Sequence, residues 1–474
     1  MKRALTLIFI FLFSLHGVEA QPSAPAQSLV FTHVTIVDTS NGKLHADTTV
    51  VISGNLIVAL GKTGKIAIPK DAQIVDASGK FLMPGLWDMH FHAPEDKQAW
   101  EIFYPLVIAN GVTGVRNTFG SETFLKHKAE VANGTLGPRM FISSPVVDGP
   151  APMWEGSISV ADANAGREVV RRLKKAGYDF IKTYQFLPRE TYFAIADEAK
   201  KQKIDFAGHV PFAATAAEAS DAGQKTLEHI FGVTLACATE EQKIRPALAD
   251  AAAHVSNEFA EHVTLFVRNE TEPLGSYSNR KAAELFKRLV RNGTYAVPTL
   301  VLHRSLSVGP GSGLRDDPRL KYMPVNIRQL FTWELRFFAS YGPVYQRLLA
   351  VTGAMHRAGV KILAGTDTYN AYCFPGFSVH DELELFVEAG MTPLEALQTA
   401  TVNPAVFLRR ERSLGTVEKG KLADLVLLDA NPLEKIGNTR KIAGVVLNGK
   451  HLDRESLKKM LSDVEASANK NQAQ

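Results

Sequence analysis

Between residues 81 and 410 the apolar positions follow two alternating rhythms. Short runs rich in apolar and β-branched residues read as strands: Leu82–His92, Val112–Asn117, Met140–Pro145, Phe180–Tyr184, Phe206–Val210, Thr226–Ile230, Tyr295–Val301 and Lys361–Asp367. Stretches such as NAGREVVRRLKKAGY, RETYFAIADEAKKQ and KAAELFKRLVRNG lie between them, with apolar residues every three or four positions, the period of a helix packed on one face. Eight strand–helix units predict an α/β fold, a (β/α)8 TIM barrel over 81–410. The connections 230–294 and 302–355 are too long for simple loops and are expected to shape a pocket as insertions or a lid.

A different rhythm marks the two ends. SLVFTHVTIVD, TTVVISGNLIVAL and AQIVDASGKFL alternate or run apolar and are broken by Asn41-Gly42, Ser53-Gly54-Asn55 and Ser78-Gly79. GTVEKGKLADLVLLD (415–429) and KIAGVVLNGK (441–450) match them near the other end. A small β-sandwich assembled from both termini, 21–80 with 411–455, is predicted. Glu465–Gln474 is mostly polar or small and is expected to be a disordered tail.

At 474 residues the chain has room for a barrel and an accessory domain. Its 53 Lys and Arg nearly balance its 49 Asp and Glu, and no long basic run occurs, which argues against nucleic acid or an anionic membrane as a partner. Lys2 and Arg3 precede the apolar run Ala4–Leu15, which is shorter than the roughly 20 residues of a membrane span. Val18-Glu19-Ala20 offers small-residue cleavage chemistry, so residues 1–20 read as a signal peptide cleaved near Ala20, and the protein as secreted or periplasmic. Cys237 and Cys373 can form one bridge or stay buried as free thiols.

The strand ends carry the chemistry. His90 and His92 are two residues apart on one strand and so point to the same side, at the end of the strand where barrel active sites form. Alone, a His-x-His pair decides nothing. Lys182 ends the fourth strand, His209 the fifth, His229 the sixth and Asp367 the eighth, all at the same rim. Imidazole nitrogen and carboxylate oxygen are ligands for divalent ions such as zinc, and this set can serve two of them. An ammonium beside two cations would be repelled, whereas a neutral lysine that has added carbon dioxide becomes an anionic carbamate able to bridge them.

MPGLWDMHFH, FIKTY, AGHV, LEHI and LAGTD, in that order, and the closing segments GMTPLEALQTATVNPA and LGTVEKGKLADLVLLD, resemble the amidohydrolase superfamily of metal-dependent hydrolases in its binuclear form. The resemblance covers essentially all of 28–450 and is narrower to the imidazolonepropionase-related branch. That branch includes Xaa-Pro and Xaa-Arg dipeptidases and amidohydrolases that cleave ochratoxin A. It implies that His90, His92 and Asp367 hold one metal, that His209 and His229 hold the second, and that carboxylated Lys182 bridges both together with a hydroxide. Asp367 would be the general base. Imidazolonepropionase itself is mononuclear and lacks the lysine, so Lys182 argues against that activity.

The implied function is hydrolysis of amide bonds in dipeptides, N-acyl amino acids or ochratoxin A-type amides, with a free carboxylate on the leaving side. The alternative on the same metal cradle is a lactonase or phosphotriesterase. A catalytically dead scaffold would lack ligands, and all six are present. Tyr184 either faces substrate or packs in the barrel. Arg116 either binds a carboxylate or forms an internal salt bridge. His303 is a candidate for contacting substrate, and His380 either orients the site or caps a helix. Met153 and Trp154 can line an apolar pocket. Relatives suggest a homo-oligomer.

Overall fold

The computed structural model describes residues 27–308, 313–338 and 341–470. The expected leader, residues 1–20, lies outside the described residues.

Seven parallel strands form one curved sheet: Leu86–Phe91, Val112–Asn117, Arg139–Asp148, Phe180–Thr183, Asp205–Gly208, Thr226–Glu228 and Tyr295–Val297, each beside the next in chain order. The predicted eighth strand is not a regular strand. Residues 361–368 instead close the barrel through single bridges, Ile362 to Ala296 and Thr368 to Phe91. Leu363 N donates to Ala296 O at 2.9 Å, and Met89 N to Ala364 O at 2.8 Å. Gly365 permits this closure. A Cβ there would stand 2.7 Å from His90 Cβ and 2.9 Å from His90 N, closer than real side chains pack.

The helices wrap the sheet as their periodicity predicts. Ala163–Ala176 buries Val169, Val170 and Leu173, begins where Asp162 accepts from Asn164 N and Ala165 N, and stops at Gly177 with φ +91°. Arg189–Gln202 and Asn279–Asn292 fill two further predicted spans. The connection 230–294 folds into helices, among them Glu241–Ala253 and Phe259–Thr271, and within 302–355 stand Val325–Glu334 and Gly342–Arg357. The seventh strand ends earlier than expected. Thr299 turns into the left-handed region (φ +48°), and Leu300–Ser307 is a helix whose first amides, Leu300 N and Val301 N, donate to the buried Glu382 carboxylate at 2.9 and 2.7 Å.

The second sheet fits the predicted β-sandwich. Phe81–Pro84, from the N-terminal part, pairs antiparallel with Leu425–Leu428 and parallel with Leu29–Val37, so the two ends of the chain are woven together. It has its own core, including Phe31, Ile52, Leu82 and Leu427. The tail expectation fails for 465–470. These residues complete the helix Arg454–Lys470, which buries Leu457, Val464 and Ala468 and packs on helix Tyr104–Ala109. Residues 471–474 lie outside the described residues. Cys237 and Cys373 are buried and unbridged. Among the described residues no helix is long and apolar enough to cross a membrane.

Candidate metal centre

His90 is the second-last residue of the first barrel strand and His92 directly follows that strand. Their rings lie 5.3 Å apart. Asp367 reaches them because its own N–H donates to His90 O at 2.7 Å and its backbone sits in the left-handed region, φ +59°. One Asp367 oxygen then stands 3.2 Å from His90 Nε2 and 3.0 Å from His92 Nε2. One ligand atom from each of these three residues falls within 4.8 Å of the others, a spacing that can hold an ion.

His229 leaves its strand with φ +58°, and its ring lies 4.5 Å from that of His90 and 4.8 Å from that of His209. His209 stands where Gly208 lets two strands touch. A Cβ on Gly208 would lie 2.1 Å from Thr183 O, and Gly208 carries φ +141°. Lys182, buried on the fourth strand, is held through its backbone N–H to Ser144 Oγ at 3.0 Å. All six residues line one cavity of about 620 Å³.

The ring nitrogens are sorted by their outer partners. His90 Nδ1 meets Glu228 Oε2 at 2.6 Å, His209 Nδ1 meets Gln185 Oε1 at 2.8 Å, and His229 Nδ1 meets Thr299 Oγ1 at 2.8 Å. Outer partners of this kind fix a metal-binding histidine's tautomer and orientation, leaving Nε2 of all three rings for the site. Burial holds His209 and His229 well below the usual histidine range, which keeps them neutral, as a ligand must be. Burial likewise lowers Lys182 to about 8. Burial would raise the Asp367 carboxyl, but His229 and His90 outweigh it and hold it well below the usual range. His90, His92 and Asp367 therefore fit one divalent ion, and His209, His229 and Lys182 line the same cavity beside them.

Behind the ligands stands a polar network across the barrel interior. Glu228 accepts from Arg116 Nη1 at 3.0 Å and from Thr226 Oγ1, and Arg116 also donates to Met89 O and Thr226 Oγ1. These residues come from the first, second and sixth strands, so they can meet only inside the barrel. Burial opposes the Glu228 charge, but Arg116 outweighs it and holds the carboxyl far below its ordinary range. Asp88 accepts from Thr366 N at 3.1 Å and from His90 N at 3.2 Å, locking the closing segment to the first strand.

The remaining sequence candidates separate. Tyr184 faces the cavity, stacked on His209 at 4.2 Å, and its hydroxyl accepts from Trp154 Nε1 at 2.7 Å. Met153 and Trp154 line the cavity too. Arg116 does not; the internal salt bridge uses it. His303 sits behind the site on the unexpected helix, with Nε2 3.1 Å from His229 O and Nδ1 3.1 Å from Tyr341 Oη, so it braces His229 instead of meeting substrate. His380 also misses the cavity. Its ring nitrogens meet Thr439 Oγ1 and Asn110 O, tying helix Phe377–Glu388 to the barrel and to the C-terminal segment. Sequence reading missed the aromatic wall, Phe231, Phe259, Phe266 and Tyr341, because an apolar residue in a long connection reads the same whether it faces a core or a pocket.

Comparison with known proteins places these features. The model of the amidohydrolase family matches residues 81–452. An adenine deaminase from Mesorhizobium japonicum is 23% identical over 415 residues, covering 87% of this chain and 56% of that protein. Ochratoxinase from Aspergillus niger is 43% identical over 91 residues, 19% of this chain and 18% of that protein. The chain thus spans little more than half the length of the first of these relatives and matches the second over a short stretch. Among solved structures, bottromycin amidohydrolase superposes with a TM-score of 0.70 at 22% identity, covering 93% of this chain and 90% of that one. The A. niger ochratoxinase structure does so with a TM-score of 0.60 at 20% identity, over 91% and 96%. With its strand-end histidines, its aspartate and a matching segment from Phe81 to Leu452, the chain belongs to the amidohydrolase family.

Proposed function

We propose that this protein is an exported hydrolase of amide bonds in small molecules, working with two divalent ions, zinc in our reading, bridged by a carboxylated Lys182. The carrying observation is that Nδ1 of His90, His209 and His229 is taken by an outer partner while all three rings line one cavity with His92, Asp367 and a buried lysine. His90, His92 and Asp367 would hold one ion and His209 and His229 the other. Two such ions supply Lewis acidity, making water a nucleophile near neutral pH and polarising a carbonyl.

The chain's own groups do the rest. Asp367, poised between two imidazoles, accepts the proton of the attacking water and passes it to the leaving nitrogen. Burial keeps the Tyr184 phenol protonated. Its oxygen accepts from Trp154 and its proton points to Met153 Sδ at 3.9 Å, a weak acceptor that a developing oxyanion would displace. Aromatic walls exclude bulk water, which strengthens both interactions. The positively charged, then apolar, then small-residue order of residues 1–20 supports export.

The test is turnover by zinc- and bicarbonate-loaded protein on a panel of N-acyl amides, lactones and organophosphate esters. Amides should be the best substrates. A clear preference for lactones or phosphotriesters would replace this reading. Asp367→Asn should retain much of its metal yet lose nearly all turnover; near-normal activity would remove Asp367 from the proton-transfer role.

A further inference from the structure

The cavity's composition speaks to the substrate, on the premise that amide hydrolysis is the reaction. Its walls are aromatic: Trp154 packs edge-on against Phe259 at 5.3 Å and Phe231 against Phe266 at 5.5 Å, and all four line it. Two exposed carboxylates, Glu95 and Glu155, stand at its edge. Among the described residues lining it, Lys182 is the only lysine or arginine, and a carboxylated Lys182 would be an anion. The undescribed internal residues, 309–312 and 339–340, are Gly-Pro-Gly-Ser and Ala-Ser and supply no cation. Arg116, buried inside the barrel, is committed to Glu228, Thr226 and Met89 O.

Apart from the two proposed ions, which the nucleophile and the scissile carbonyl would occupy, a substrate carboxylate entering this space would lose its hydration and find no guanidinium or ammonium to replace it. It would also approach past two like charges at the rim. An aromatic group gains on the same path, because stacked and edge-on rings stabilise it beyond simple burial. We infer that the substrates are bulky aromatic amides with no carboxylate next to the scissile bond. The dipeptides and N-acyl amino acids that the sequence suggests are then the disfavoured class, and a neutral or cationic far end is the favoured one.

The test is a matched pair on the zinc- and bicarbonate-loaded full-length protein: N-benzoyl-2-phenylethylamine against N-benzoyl-phenylalanine, which differ by the carboxylate alone. The amine derivative should show a kcat/KM about tenfold or more higher, the discrimination expected when a charge enters an unpaired site. Equal values, or a preference for the acid, would overturn the inference. Glu155→Arg should shift the ratio toward the acid, and raised ionic strength should narrow it in wild type, because the rim charges are exposed and screened. An unchanged ratio under both would remove the rim from the explanation and count against the inference. If metal-loaded protein hydrolyses neither compound, the amide reading fails while the pocket question stays open to equilibrium binding. Quenching of tryptophan fluorescence then ranks the same pair, with tighter binding of the neutral compound supporting the inference and tighter or equal binding of the acid overturning it.

Discussion

Replacing Glu228 with Gln should weaken metal binding by about 10- to 100-fold, because Glu228 fixes the tautomer and angle of His90 from behind. Competition with a chromophoric chelator measures this, and the melting temperature should fall as well, since Arg116 loses its buried counter-charge. At this scale the sequence was legible where chemistry and position coincide. His90, His92, Lys182, His209, His229 and Asp367 stand at the ends of the first, fourth, fifth and sixth strands and in the closing segment, and the structure brings all six to one cavity. It was opaque where a side chain's direction depends on how its element ends. The contact of Glu228 with His90 spans the barrel and has no sequence signature. His303 reads as a rim residue only if the seventh strand runs on to Val301. The left-handed turn at Thr299 swings it behind His229 instead.

At the scale of elements, closure of the barrel between the seventh and first strands depends on a glycine. Gly365→Ala would drive a methyl group against His90 and Val297 Cγ1, the latter at 2.6 Å. It should cost about 1–3 kcal/mol in chemical denaturation and pull Asp367 away from its histidines. A variant as stable and as active as wild type would show that the closing segment yields easily. The loop carrying Met153 and Trp154 is held by Asp148, which accepts from Phe186 N at 2.9 Å and Met153 N at 3.4 Å. Burial pushes the Asp148 carboxyl up to about 6. Between about 4 and 6 the folded protein therefore keeps a proton that the unfolded chain has released, so this group's contribution to stability falls as pH rises through that window. Stability measured by denaturant titration should decline by about 2 kcal/mol from pH 4 to 6 relative to Asp148→Asn; parallel curves for the two proteins would contradict it. Strand and helix periods were readable because each element buries one face. The eighth strand was readable as a position but not as a regular strand, because its pairing through single bridges is decided by neighbours and not by its own residues.

For the whole molecule, the two chain ends meet in one sheet, and the C-terminal helix returns to the barrel at Tyr104–Ala109. The polar composition of 465–470 hid this, since only Ala468 of that stretch is buried, on a helix whose other buried contacts, Leu457 and Val464, lie earlier. The insertions were visible as excess length, yet their helices and the aromatic wall they build follow from long-range packing. What unites the molecule is that the first, fourth, fifth and sixth strands and the closing segment each deliver a candidate ligand to one cavity, Lys182 among them. Zinc content and turnover of zinc- and bicarbonate-loaded protein, wild type beside Lys182→Ala, test that most directly. The account predicts two zinc ions per chain and active wild type, against a variant that loses metal and activity and is partly rescued by short carboxylic acids. A Lys182→Ala protein that is fully loaded and fully active would contradict it.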